Sequence, residues 1–352
     1  MPRQISGTAG RLWHGAVEHL PPNSFAFVMA SGIVATALAD SGAIVPSLVM
    51  SWLAVAGFVV LAVVGVAHLA AHRAIAAQDA RDPKRAFGYF TLVAALGVLG
   101  APLYSEDAPW PAVALFAASV PLWALFAYGL PANLMLRPHE DPVSANIDGS
   151  WFMWVVGTQS VAVLAVVLAP TLGSWTAPVA VALWGVGIVL YLVLAALILL
   201  RLLTVPNTPD SFTPAYWIFT GATAISVLVA ARVIGLPHSL PVVAATAGFV
   251  AGAAFVLWAF GTWWIPLLVI FGIWRHVVKR RPLRYESGLW SVVFPLGMYA
   301  VASMALGGAL GLGFLDTIGR AAAVVALLAW TATAAAMVST ALAYVRSIAS
   351  AG

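Results

Sequence analysis

The 352-residue sequence is 62% hydrophobic and only 8% charged, against about 25% charged residues in an ordinary soluble domain. So few charges cannot cover a water-soluble surface, and the absence of cysteine excludes disulfides, thiolate metal sites and cysteine nucleophiles. The formal net charge of +4 does not point to nucleic acid, because the basic residues are distributed as membrane topology requires.

Residues 1–20 carry Arg3, Arg11, His14, Glu18 and His19. A cleavable signal peptide would place an apolar stretch and a small-residue cleavage site there. The first apolar run starts only after Pro21-Pro22, so 1–20 reads as a retained cytoplasmic segment. A transmembrane transport domain is expected over 21–346, and a short cytoplasmic tail over 347–352.

A membrane-spanning helix needs about 20 mostly apolar residues. Ten such runs follow in chain order, near 23–40, 45–70, 87–104, 111–135, 151–170, 177–200, 213–236, 241–274, 287–312 and 318–345. The eighth is the longest but too short for two spans and a turn, so a kink at Gly261 or Pro266 or a cytoplasmic extension is expected. With the N-terminus inside, fourteen of the sixteen Lys and Arg fall on the inner side, leaving Arg232 and Arg320 near the outer face. That asymmetry satisfies the positive-inside rule and places both termini in the cytoplasm. The predicted class is an all-α polytopic membrane protein whose ten helices form five hairpins, every odd-numbered helix running outward.

The outward helices share a faint repeat of aromatics near the inner end followed by glycine: Phe25/Phe27 with Gly32, Phe152/Trp154 with Gly157, Tyr216/Phe219 with Gly221, and Trp290/Phe294 with Gly297. Interfacial aromatics and small packing residues produce the same pattern.

No carboxylate falls near the middle of any run, and the histidines lie near the ends. Proton-coupled carriers usually need a titratable group at depth, so tight proton coupling and intramembrane catalysis both lose support. No H-E-x-x-H, G-x-S-x-G or phosphate-loop motif is present. His68 and His72 share a helical face at i, i+4 spacing. That spacing suits a metal or haem, but their position near the inner end suits a solvated pair better. No enzyme, cofactor or bound metal is predicted.

The polar groups at depth are uncharged: Ser31, Thr36, Thr91, Thr158, Gln159, Ser160, Thr220, Thr223, Ser226 and Ser303. Hydroxyls and one amide can replace part of an anion's water shell without trapping it, as conduction requires. They can equally bond one helix to the next. Gln159 is expected to face protein or a lumen rather than lipid. Arg232, near the outer end of the seventh run, is a candidate outer-mouth anion attractor or a partner for Asp40 or Asp316.

Four stretches carry a resemblance. They are Pro21-Pro22-Asn23-Ser24-Phe25 through Gly32-Ile33; Trp154-Val155-Val156-Gly157-Thr158-Gln159-Ser160; Pro214-Ala215-Tyr216-Trp217-Ile218-Phe219-Thr220-Gly221-Ala222; and Trp290-Ser291-Val292-Val293-Phe294-Pro295-Leu296-Gly297-Met298-Tyr299. In their order and spacing the chain resembles the tellurite-resistance/dicarboxylate transporter family. That family includes the slow-type anion channels of plant guard cells and the bacterial tellurite-resistance channel.

The resemblance implies five hairpins around a quasi-fivefold axis, outward helices lining one pore per subunit, and a homotrimer in the plasma or inner membrane. It also implies that Phe294 plugs the pore, with Pro295 and Gly297 loosening its helix. The candidate path then comprises Asn23, Phe27, Ser31, Gly32, Thr91, Thr158, Gln159, Tyr216, Thr220 and Thr223. The long cytoplasmic tails of the plant channels have no counterpart here, so regulation by tail phosphorylation is not carried over.

The expected partners are a small inorganic or carboxylate anion and the lipid bilayer. The expected activity is channel-like or facilitated anion movement. The alternative is a proton-linked transporter of C4-dicarboxylates, sulfite or tellurite that uses Glu18, His19 or Glu286 at the inner mouth.

Overall fold

A computed structural model describes residues 8–138 and 143–350, and among these it contains helices and no strands. Arg3, Glu140 and Asp141, which the sequence assigns to the inner side, lie outside the described residues.

The chain opens with α1 (Thr8–Glu18), which the composition of 1–20 did not predict as a helix. Then come α2 (Ala26–Asp40), α3 (Ile44–Ala71), α4 (Arg73–Asp79), α5 (Phe90–Gly100), α6 (Trp110–Met135) and α7 (Phe152–Val167). The second half holds α8 (Ala169–Leu172), α9 (Thr176–Thr204), α10 (Ile218–Ile234), α11 (Pro241–Ile273), α12 (Trp290–Leu310) and α13 (Gly313–Ser350). Each of the ten apolar runs becomes one principal helix. Eight of the helical segments are long and apolar enough to cross a membrane, whereas α2 and the stretch Ala86–Gly100 that ends in α5 are shorter apolar helices. The eighth run is one continuous helix through Pro266, and it passes into a π-helical turn at Trp274–Val278.

Two populations of helix alternate along the chain. In α7, α10 and α12 about four-fifths of the apolar window is buried, against 11% to 22% in α3, α6, α9, α11 and α13; α2 and α5 are buried along most of their length as well. The buried helices pack in the cyclic order α2, α5, α7, α10, α12, and α12 returns to α2. Each also packs against the exposed helix that follows it: α2 on α3, α5 on α6, α7 on α9, α10 on α11, and α12 on α13. A helix that is hydrophobic all round is buried in protein or faces lipid. The exposed helices instead turn Val60, Trp52, Leu125, Val189, Phe249 and Leu328 outward, a surface compatible with lipid and not with water.

Length separates the two sets as well. The inner helices have 15, 11, 16, 17 and 21 residues; the outer ones have 28, 26, 29, 33 and 38. At 1.5 Å per residue, 15 residues reach only about 22 Å, short of a hydrocarbon core of about 30 Å. Enclosed helices need not match that thickness, because lipid never meets them. Only the outer wall has to span it.

Glycine sets the inner wall's spacing. Gly32 meets Val98 of α5, Gly97 meets Ser160 of α7, and Gly297 meets Ile33 and Val34 of α2. A Cβ on Gly32 or Gly297 would lie 2.6 or 2.8 Å from a neighbouring methyl, so these backbones approach as only glycine permits. At the ends, Gly42 and Gly311 adopt φ of 85° and 69°, left-handed positions that close short turns from α2 into α3 and from α12 into α13.

Candidate functional site

Four of the five inner helices are entered through a short 3-10 turn, at Ala86–Tyr89, Gly149–Trp151, Pro214–Trp217 and Ser287–Leu289. The aromatic–glycine repeat marks the last three of these entries. Beyond them the helices enclose a cavity of about 310 Å³, to which all five contribute. Its wall includes Thr36 and Asp40 of α2, Gly97 and Val98 of α5, Ser160 and Val163 of α7, Ile225 and Arg232 of α10, and Met298 and Val301 of α12. Ser47 and Ser51 of α3 reach it as well. Asp40 and Arg232 also line a depression bounded by Asp316, Met304 and Gly308, so the cavity lies toward the end of the ring where these charges cluster.

Phe294 lies one helical turn before Met298, on the same face of α12. Its side chain is completely buried, and it is not among the residues that line the cavity. The ring packs over Gly221 of α10, its Cε1 3.3 Å from where a Cβ on that glycine would be, while Pro295 Cγ is 3.0 Å from the same point. Pro295 lies inside α12 and cannot donate to the carbonyl four residues back, which weakens the helix at this turn. Gly297 packs against Ile33 and Val34 of α2.

The candidate path residues divide between the two sides of the wall. Ser31 accepts a hydrogen bond from Trp330 Nε1 of α13 at 2.9 Å, and Thr158 accepts one from Trp123 Nε1 of α6 at 3.0 Å. Gln159 donates to Trp184 O at 3.2 Å and to Ser226 Oγ at 3.0 Å, which directs it to the junction of α7, α9 and α10. Thr223 donates to Thr220 O at 2.8 Å and lies against Gly261 of α11; Thr220 approaches Gly261 O at 3.5 Å. Phe27 packs on Gly57 of α3 and edge-on to Trp290, with 5.0 Å between ring centroids. These side chains and Gly32 serve helix junctions.

At the end of the ring opposite Asp40 and Arg232, Thr91 donates to Gly88 O at 2.7 Å and approaches Pro22 O, and Asn23 Oδ1 receives Ser287 Oγ at 3.4 Å. The Tyr216 hydroxyl is buried beside the Arg201 guanidinium. Thr36 and Ser160 are the deep hydroxyls that meet the cavity, each also bonded to the carbonyl four residues back.

Tryptophan indoles form a series that composition did not reveal. Trp123 of α6, Trp184 of α9, Trp258 of α11 and Trp330 of α13 each donate Nε1 to the inner helix of the next hairpin. Their acceptors are Thr158 Oγ1, Ser226 O, Ser303 Oγ and Ser31 Oγ, at 2.9 to 3.0 Å. The signal available in sequence was at least one tryptophan within each outer run, four of them in the run that becomes α11. Trp52 of α3 is the exception, 72% exposed.

Charges stay near the two ends. At the end that carries Asp40 and Arg232, Arg320 Nε pairs with Asp316 at 2.7 Å, so Asp316 is already engaged. Among the described residues Arg232 has no carboxylate within 4 Å, although Asp40 shares its cavity. At the other end Arg281 pairs with Asp210 at 2.6 Å, and Arg85 pairs with the buried Asp79 at 3.1 Å. Burial pushes the Asp79 carboxyl up in spite of Arg85. Burial raises Asp148 as well, against hydrogen bonds from the Ser150 hydroxyl and N–H. His68 Nδ1 lies 2.7 Å from Val17 O, which ties α3 to α1. No cluster of three His, Asp or Glu suited to a metal occurs among the described residues.

A ring of buried apolar helices jacketed by long lipid-compatible ones defines a multi-pass membrane protein with a cavity at its centre. A family model described as voltage-dependent anion channel matches residues 19–338. The chain belongs to this SLAC1 family, within the tellurite-resistance/dicarboxylate transporters, a family of membrane transporters and anion channels. It is 50% identical over 148 residues to an uncharacterized membrane protein of Mycobacterium tuberculosis, covering 42% of this chain and 75% of that protein. It is also 24% identical over 298 residues to an uncharacterized transporter of Methanocaldococcus jannaschii, covering 82% of this chain and 83% of the relative.

Proposed function

We propose that the chain is a channel-like permease that passes small inorganic or carboxylate anions along the axis of its inner helical ring. The carrying observation is the central cavity walled by all five inner helices, which stops one turn short of the buried Phe294. In this reading Phe294 is the gate, Pro295 lets its turn of α12 yield, and Arg232 raises the anion concentration at the outer mouth. The cavity wall offers Thr36 and Ser160 hydroxyls and a mostly apolar lining, a weak site that an anion can leave as readily as it enters.

The topology proposed with it is ten crossings in five hairpins about a quasi-fivefold axis, with both termini in the cytoplasm of a cell-membrane homotrimer. Cyclic packing of the five inner helices supports the hairpin arrangement. The native chain has no cysteine, so single cysteines at Gly308 and Arg280 report sidedness cleanly. Labelling of the first from outside and the second from inside is expected.

The deciding experiment is anion flux in proteoliposomes with the potential clamped by a potassium ionophore. Phe294→Ala should raise flux at equal reconstituted protein, and unchanged flux would remove the gate. Accumulation against the anion gradient when a pH gradient is imposed would replace the channel reading with proton-coupled transport of dicarboxylate, sulfite or tellurite.

A further inference from the structure

The jacket has a weak seam where α3 meets α5. Three of the next-hairpin contacts, α6 on α7, α9 on α10 and α13 on α2, are more extensive than α3 on α5. The α3–α5 junction also lacks an indole bridge, since Trp52 faces outward. A crevice of about 630 Å³ opens there between α3 and α6, closed behind by Leu92 of α5, by the segment 20–25 and by α4. Its walls are apolar over most of their length, from Val66 on α3 to Leu92 on α5 and Leu125 and Phe126 on α6. Val66 and Leu125 are 70% and 62% exposed, so the crevice opens sideways toward the surrounding hydrocarbon.

One end is different. Arg81 and Arg137 both line it at the basic end of the molecule, beside Asn133. Among the described residues neither arginine has a carboxylate within 4 Å, because the nearby Asp79 is held by Arg85 at 3.1 Å and the Asp82 carboxylate accepts from the Lys84 N–H. Asn133 Nδ2 is spent on Ala80 O at 2.8 Å, which ties α6 to the segment that carries Arg81. His68 also lines this end, with its Nδ1 on Val17 O. The volume lies within the range of ligand pockets, about 300–1,000 Å³.

We infer that this crevice is a site for one anionic glycerophospholipid, its acyl chain between α3 and α6 and its phosphate between Arg81 and Arg137. An apolar slot open to a bilayer takes up hydrocarbon, and two guanidiniums at its mouth, neither paired with a carboxylate among the described residues, select a phosphate whose headgroup adds no positive charge. Basic pockets between membrane helices hold anionic headgroups by this combination, and arginine suits phosphate through its planar fork of donors. The lipid replaces the indole bridge absent from this seam.

Native mass spectrometry of the purified full chain in detergent tests the site, with dioleoyl phosphatidylglycerol or dioleoyl phosphatidylcholine added at equal concentration. One phosphatidylglycerol should be retained per chain at collision energies that strip phosphatidylcholine, with at least tenfold preference. R81Q/R137Q should abolish the preference and R81K/R137K should retain part of it, and a matched circular-dichroism melt verifies folding of both. Gly129→Leu, which introduces bulk at the slot, should lower retention of either lipid. Equal retention of the two lipids, or an R81Q/R137Q protein that still prefers phosphatidylglycerol, overturns the proposal. So does a lipid-free oligomer in which Leu125→Trp dissociates the chains, because a second copy then covers the crevice.

Discussion

The ring of Phe294 rests on Gly221: Cε1 lies 3.3 Å from where that residue's Cβ would be. An inner helix therefore supports the aromatic side chain from its neighbour exactly where the backbone has nothing to offer but its own surface. Gly221→Ala should push the ring toward the axis and lower anion flux. In a Phe294→Ala background the same change should have little effect, since there is no ring to displace. A double-mutant cycle on flux measures the coupling, and additive effects would separate Gly221 from the gate. Phe294→Ala empties a packed position, at a stability cost of about 3–5 kcal/mol in soluble cores. Phe294→Leu, which keeps most of the volume, should raise flux less and fold better.

The outer mouth makes an electrostatic prediction. Arg232 and Asp40 line one cavity while Arg320 and Asp316 pair with each other. Arg232→Gln should lower flux at low anion concentration and low ionic strength, and Asp40→Asn should raise it. Both differences should shrink as added inert salt shortens the screening length to about 8 Å at 0.15 M. Salt-independent effects would point to altered packing instead of attraction.

Indole bridges should matter for stability and not for selectivity. Trp330→Phe and Trp258→Phe each remove one donor, from Ser31 and Ser303. Interhelical bonds of this kind contribute about 0.6 kcal/mol in membranes, and the two bridges share no residue, one joining α13 to α2 and the other α11 to α12. The losses in a denaturant or thermal assay should be small and nearly additive. Thr158→Ala should behave likewise, while Thr36→Ala and Ser160→Ala, on the cavity wall, should change the relative flux of different anions. A selectivity change from Thr158→Ala would return it to the path.

Asp79 carries the pH prediction. Its buried carboxyl titrates above the ordinary range even beside Arg85, so the folded chain binds that proton more tightly than the unfolded one. The stabilisation this gives is complete in acid and is lost as pH rises through the folded-state value. Asp79→Asn avoids the buried charge and leaves Arg85 half in solvent. Its melting temperature should equal or exceed wild type at neutral pH, with the gap closing as pH falls. A large loss at neutral pH would mean that the Arg85 pair outweighs burial.

Much of this architecture was legible along the chain. Apolar runs longer than about 20 residues announce helices in lipid, charge asymmetry sorts their ends, and the aromatic–glycine repeat marks the entries to Gly157, Gly221 and Gly297. These are one-dimensional signals, carried by composition and spacing. The sequence did not reveal which helical face looks inward. In a soluble helix the polar stripe marks the outside; here lipid, neighbouring helices and cavity are all compatible with apolar residues, so no stripe exists to read. Ser31, Thr158 and Gln159 sit at the same depths as cavity-lining hydroxyls yet turn to Trp330, Trp123 and Trp184. Only the packing of one helix on the next decides that, because a polar side chain in hydrocarbon goes wherever the nearest donor or acceptor is, and that partner lies 299 residues away for Ser31, 35 for Thr158 and 25 for Gln159.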